Sequence, residues 1–368
     1  MPPDSSVAST DRAHGPSRAS WLLRQIDTLY PGCFALVMAT GIVSNAFYFE
    51  SPRALSDALF AINLVAYPLL LILTIARALR VPQMLAADLL SPRLVFAFFT
   101  LVAGTDVLGV SLSLRGYGGV ALGLWLFALI LWVVLIYLSF AVLTFLNKEH
   151  RANVIDGGWL LAIVGTESLV VLGTSIGHLF GSDAPLVFVA LHMLWGIGLA
   201  LYGIFITLFA YRIFFFAVEP EDVNPLLWVV MGAAAISTNA GSVLILTGNA
   251  APFLQSMVAF IDGATLVIWA WATWWIPLLV LLGIWKHAIR RVPLSYTPTL
   301  WGLVFPLGMY ALASLRLSQA ADVPVLQTLS QAMVWVALAA WIATAFGFVA
   351  ATWRDYRRFA AIRRAEAS

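Results

Sequence analysis

The stretch Tyr296-Thr-Pro-Thr-Leu-Trp-Gly-Leu-Val-Phe-Pro-Leu-Gly-Met-Tyr-Ala-Leu-Ala-Ser-Leu-Arg316 decides how the rest of the chain is read. It has the length of a membrane span, since about 20 apolar residues cross a bilayer core as helix. Gly302, Pro306 and Gly308 interrupt it. Pro306 has no N–H, so the carbonyl of Gly302 loses its intrahelical donor, and in lipid such a group is tolerated only where protein or a water-filled path satisfies it. The expectation is a helix that breaks in its middle and lines something. Phe305, a bulky ring beside residues with little or no side chain, would build a narrow apolar constriction there. The competing reading of Phe305 is plain helix packing.

Composition carries the same message outward from this stretch. The 368 residues are 62% hydrophobic and only 10% charged, with a mean hydropathy of +0.93. A soluble domain has a charged fraction of about 25%, so this chain is a polytopic membrane protein. A single cysteine, Cys33, excludes an intrachain disulfide and a cysteine-built metal site. No phosphate loop, no histidine and carboxylate at metal-ligand spacing and no basic aromatic face are present, so neither a metal, a cofactor, an enzyme activity nor a nucleic-acid partner is expected. The first 20 residues are polar, lack an apolar signal-peptide core, and read as a short disordered tail.

Ten apolar segments follow, at about 32–49, 54–79, 93–113, 118–146, 158–180, 184–216, 226–248, 252–285, 297–315 and 324–352. Of the 20 Lys and Arg, only Arg53, Arg115 and Arg316 fall on the side away from the termini, which leaves 17 on the termini side. That bias predicts a multi-pass protein of the plasma (inner) membrane with both termini cytoplasmic. The connections alternate between short and long, so the chain reads as five helical hairpins. The first helix of each opens at Pro31, Pro92, Gly157, Pro225 and Pro298, with starts 61, 65, 68 and 73 residues apart. The odd-numbered segments carry mid-span small or polar groups, and the even-numbered ones are longer and richer in Leu, Ile, Val and Trp. The predicted architecture is all-α: ten transmembrane helices as five hairpins in a quasi-fivefold arrangement around a central pore. Residues 1–30 form the N-terminal tail, 31–352 the transmembrane domain and 353–368 a basic C-terminal tail.

The ten spans with alternating loops, the run Phe34-Ala-Leu-Val-Met-Ala-Thr-Gly-Ile-Val43, and above all Trp301-x-x-x-Phe-Pro-Leu-Gly-Met-Tyr-Ala-Leu-Ala313 resemble the tellurite-resistance/dicarboxylate transporter family. That family includes the plant slow anion channels and the fungal malate and sulfite carriers. The resemblance implies transport of a small anion by a homotrimer embedded in the lipid bilayer, each protomer holding a pore that a ninth-helix phenylalanine occludes. Phe305 is the matching position, with Pro306 and Gly302 beside it.

No Lys or Arg lies well inside a span, so an anion path would rely on helix ends, hydroxyls and amides. The candidates on odd-numbered helices are Thr40, Ser44, Asn45, Thr105, Thr166, Ser168, Thr174, Ser175, Ser237, Thr238 and Asn239. Each could equally bond its own backbone or a neighbouring helix. Asp106 and Glu167 are sharper, because an acid inside a span costs on the order of 3 kcal/mol on insertion scales and is a functional candidate by default. An ionised carboxylate would repel an anion in the same path, so these acids are protonated, paired, or part of something other than a simple anion pore. Two functions follow as expectations: a gated anion channel, or a proton-coupled carrier of organic acids that uses Glu167, with Asp106 as a second coupling candidate.

Overall fold

The computed structural model describes residues 18–147, 155–248 and 252–367. Among them, ten helices are long and apolar enough to cross a membrane: Pro31–Phe49, Arg53–Arg80, Val95–Ser113, Gly118–Leu146, Gly157–Ser175, Gly177–Phe215, Pro225–Leu246, Val258–Ile289, Pro298–Ala321 and Pro324–Ile362, called here the first to tenth spans. The described residues include no strand. The odd spans are 19–24 residues long and between 78% and 94% buried over their most apolar stretch, whereas the even spans are 28–39 residues long and 17% to 33% buried. Helices apolar on every side and buried on every side are a core; long helices exposing Leu, Ile and Phe are its lipid-facing shell.

Each odd span opens on a short 3₁₀ turn before its α-helix, at Pro31–Phe34, Val95–Phe98, Gly157–Leu160, Pro225–Trp228 and Pro298–Leu300. Local chemistry sets these starts. Pro31, Pro225 and Pro298 occupy the first helical turn, where a missing N–H costs nothing. The side chains of Asp156 and Asn224 cap theirs by accepting from the N–H of Gly158 and of Leu226, both at 2.8 Å. Pro92 lies in the turn ahead of the third span rather than in its first turn.

The odd spans pack in a closed cycle: first on third, third on fifth, fifth on seventh, seventh on ninth, and ninth back on first. Glycines permit the closest approaches. A Cβ on Gly232 of the seventh span would stand 2.7 Å from Pro306 Cγ, and one on Gly308 of the ninth would stand 2.8 Å from Ile42 Cγ2.

The shell is fastened to this core by aromatic donors. Each even span sends one into the next odd span: Tyr67 OH to Thr105 Oγ1 (2.9 Å), Trp132 Nε1 to Thr166 Oγ1 (2.8 Å), Trp195 Nε1 to the Ser237 carbonyl (3.0 Å) and Trp269 Nε1 to Ser314 Oγ (3.0 Å). The tenth span returns to the first through Trp341 Nε1 and Thr40 Oγ1 at 2.9 Å. An indole N–H can only donate, and away from water each acceptor it finds in the protein avoids the cost of leaving it unpaired.

Two expectations are corrected. The ninth span does not break, because an α-helix runs unbroken from Trp301 to Ala321 with Pro306 inside it. One missing hydrogen bond does not end a helix whose every side is held by neighbours, and the proline ring is seated on Gly232. The N-terminal tail is not wholly unstructured, since Arg18–Asp27 is a helix. Trp21 Nε1 and Gln25 Nε2 donate to Asp355 at 2.8 and 2.9 Å, and Asp27 pairs with Arg80 at 3.0 Å. Those bonds also put both ends of the transmembrane domain on one side. The tenth helix runs on from Pro324 to Ala367, so the basic residues after 352 continue it. Residues 1–17 of the N-terminal tail, with Arg12, and the loop residues Lys148 and Arg151 lie outside the described residues.

Candidate functional site

Along the axis of the odd spans, the side chains fall into layers one helical turn apart. The middle layer surrounds a cavity of about 20 Å³, close to the size that holds one water molecule. All five odd spans contribute to its wall: Ile42 and Asn45, Asp106 and Val107, Ser168, Asn239, and Met309 with Leu312. Most of its polar groups are already committed. Asn45 Nδ2 donates to the Val107 carbonyl at 3.3 Å and its Oδ1 accepts from Ser111 Oγ at 2.6 Å, which ties the first span to the third. Ser168 Oγ donates to Asp106 Oδ2 at 2.7 Å, which ties the fifth to the third. Two acceptors are left over. Asp106 Oδ1 and Asn239 Oδ1 are buried with no hydrogen-bond partner among the described residues. Such an atom away from water costs about 1–3 kcal/mol, so this layer is built to receive a donor.

Four residues towards the termini from Ile42, Val107, Ser168, Ile236 and Met309 of the cavity wall stand Met38, Ala103, Val164, Gly232 and Phe305. This layer is apolar and shut, with Met38 and Phe305 each 1% exposed and Ala103 and Val164 fully buried. Phe305, Met309 and Leu312 follow i, i+4, i+7 spacing, so the ring of Phe305 shares the face that borders the cavity. Pro306 and Gly302 lie off that face: Pro306 packs on Gly232, and a Cβ on Gly302 would stand 2.8 Å from Leu226 Cδ2.

The other hydroxyls named from the sequence are placed elsewhere. Thr40, Thr105 and Thr166 accept the aromatic donors of the shell. Ser44 exchanges hydrogen bonds with Ser56 of the second span, 2.7 Å each way. Thr174, Ser237 and Thr238 return their hydroxyls to their own helices, to the carbonyls of Val170, Ala233 and Ala234. Glu167 is fully buried but turned outward. It lies against Gly198 of the sixth span, where a Cβ would come within 2.7 Å of the carboxyl carbon, and beside Ser237 of the seventh, whose hydroxyl donates to the Ala233 carbonyl. The residues that build the cavity and were not singled out in the sequence include Val107, Ser111, Ile236, Met309 and Leu312. The last two could have been found by stepping i+4 and i+7 from Phe305.

The profile of a family described as "Voltage-dependent anion channel" matches residues 28–349, nearly the whole of this ten-span fold. The chain belongs to this family. The resemblance read from Phe34–Val43 and Trp301–Ala313 is therefore to true relatives. Among curated proteins, the anion channel family member described here is 42% identical over 133 residues to an uncharacterized membrane protein of Mycobacterium tuberculosis, covering 36% of this chain and 67% of the relative. It is 25% identical to each of two uncharacterized transporters of Methanocaldococcus jannaschii, over 328 residues (84% of this chain, 91% of the relative) and over 334 residues (87% and 92%). The family is one of transporters and channels, and this member is an integral membrane protein of the same kind.

Proposed function

We propose that this protein is a gated channel for small anions, of the C4-dicarboxylate, sulfite- or tellurite-like or inorganic class, which move along the axis of the five odd spans. The arrangement is a quasi-fivefold one around a central pore, with both termini cytoplasmic in the plasma membrane and three copies assembled as a homotrimer. The gate is Phe305, positioned by Pro306 on Gly232 and by Gly302 on Leu226. The observation that carries the reading is the convergence of all five odd spans on one small, mostly apolar cavity bordered by Asn45, Asp106, Ser168 and Asn239, with the buried apolar layer of Phe305 one turn beneath it. Apolar constrictions of this kind close a path by excluding water and open when the ring moves aside. The test is anion flux into proteoliposomes under an imposed voltage. Phe305→Ala should raise flux at least about tenfold at unchanged oligomeric state, and equal flux in the folded variant overturns the gate.

A second reading, proton-coupled carriage of organic acids, is favoured by one feature of the cavity. Asp106 borders the cavity with an unpartnered Oδ1: ionised it only accepts hydrogen bonds and repels an anion, whereas once protonated its O–H can donate to one, so a proton taken up here would favour anion entry. Glu167, the coupling residue expected from sequence, packs against Gly198 of the sixth span and beside Ser237 of the seventh, and remains the alternative coupling site. Repeating the flux measurement with and without a pH gradient separates the two readings, because a channel follows voltage at fixed pH.

A further inference from the structure

The layer one turn beyond the cavity, on the side away from the termini, is the first to meet solvent. Stepping one turn outward from Asn45, Val110, Val171, Asn239 and Leu312 gives Phe49, Ser113, Ser175, Val243 and Arg316. All five are partly exposed, where most of the residues a turn further in are buried. Ser175 Oγ donates to Ser113 Oγ at 2.7 Å across the third and fifth spans, so two hydroxyls meet at this level. Arg316 continues the face of Phe305, Met309 and Leu312 at i+11, and its guanidinium stacks 4.0 Å above the ring of Phe49, which continues the face of Asn45. The one long cation of the ninth span thus packs against the first span, on the helix face that borders the cavity further in.

Its charge is not cancelled there. No carboxylate lies within salt-bridge distance of Arg316 among the described residues, and its only side-chain hydrogen bond goes to Gln319 at 2.9 Å. Glu50, next to Phe49, turns to Ser330 of the tenth span. The other two cations of this side are differently used. Arg115 is neutralised by Asp57 at 2.8 Å, and Arg53 stacks 4.0 Å over Tyr48 at the exposed rim. A half-buried guanidinium with open donors and no acid partner, at the same level of the odd spans as the paired hydroxyls of Ser113 and Ser175, suits an anion.

We infer that Arg316 is the anion-receiving residue at the outer mouth of the axial path, a docking site for a small carboxylate or oxyanion before it enters the cavity. The inference rests on the axial reading above, with the termini inside. It accounts for how a path whose cavity offers only leftover acceptors can still draw anions: the attraction is placed one turn outside the cavity, where it raises local concentration without holding the ion at the constriction.

The test uses the full chain in the Phe305→Ala background, so that entry and not the gate limits flux, with chloride, nitrate and malonate as probes applied from outside. Arg316→Gln should raise the half-saturating concentration about tenfold at unchanged maximal flux. Arg316→Lys should stay within about threefold, and Arg53→Gln should change nothing. Arg316→Cys, with Cys33→Ala, gives a second readout on already folded protein: a cationic thiol reagent added outside restores the half-saturating concentration and an anionic one does not. If the Phe305→Ala protein passes none of the three anions, the axial reading fails and this inference falls with it. If it passes them but Arg316→Gln saturates as before, or both reagents act alike, the axial path stands and the docking site is overturned.

Discussion

Asp106 and Glu167 are both mid-span acids on odd helices, and they have different surroundings. Asp106 is held by Ser168 and turns its second oxygen to the cavity, while Glu167 is pressed against Gly198 away from it. If a proton accompanies the anion, Asp106→Asn should abolish the dependence of flux on a pH gradient and Glu167→Gln should leave it intact. The reverse result, read in the same proteoliposome assay, would transfer coupling to Glu167. Asp156, at the start of the fifth span, makes a prediction about stability. Burial pushes its carboxyl above the ordinary range, against the opposing pull of the Gly158 N–H, the Asn224 amide and Arg93. A carboxyl whose pKa is raised on folding stabilises most while protonated, below about pH 4, and that contribution is lost as pH rises through the folded value. Asn caps a helix as well as Asp does. Asp156→Asn should therefore unfold at a temperature that falls less between pH 4 and pH 7 than the wild type's, as thermal unfolding in detergent would record.

The inner helices depend on glycine contacts with one another and on aromatic contacts with the shell. Gly232 lets the ring of Pro306 sit against the seventh span, so Gly232→Ala forces an overlap costing about 1–3 kcal/mol. A Pro306→Ala background removes the 2.7 Å Cγ contact and keeps the Cβ and Cα at 3.0 and 3.3 Å, so part of that loss should vanish; fully additive losses in the double variant would show that the two residues do not couple. The shell contact of Trp132 is tested more gently. Trp132→Phe removes the donor to Thr166 while Thr166 keeps its own bond to the Ala162 carbonyl, so the change should cost about 1 kcal/mol of hydrogen bonding and leave anion selectivity unaltered. A shift in selectivity would mean that Thr166 takes part in the path.

For the molecule as a whole, a homotrimer predicts three copies by native mass measurement in mild detergent, and cytoplasmic termini predict that a protease added outside intact cells spares tags at both ends. What the sequence by itself determined is the class, the ten spans, their pairing into hairpins and the repeated starts. These follow from local properties: apolar length, short loops that force neighbours antiparallel, and Pro, Asp or Asn at helix starts. The division into buried odd spans and exposed even spans was also legible, because lipid-facing helices need Leu, Ile and Trp where close-packed ones need Gly, Ala and Thr. Only the tertiary structure decided which polar groups face the axis. An inner helix is apolar and buried on all sides, so it carries no stripe from which a facing direction can be read. Thr105 and Asp106 are adjacent in the chain, yet about 100° apart around the helix one meets Tyr67 of the shell and the other the cavity. The packing angle of the third span, set by contacts with spans far away in sequence, makes that choice, and the same holds for Arg316, whose place over Phe49 depends on the ninth span closing back upon the first.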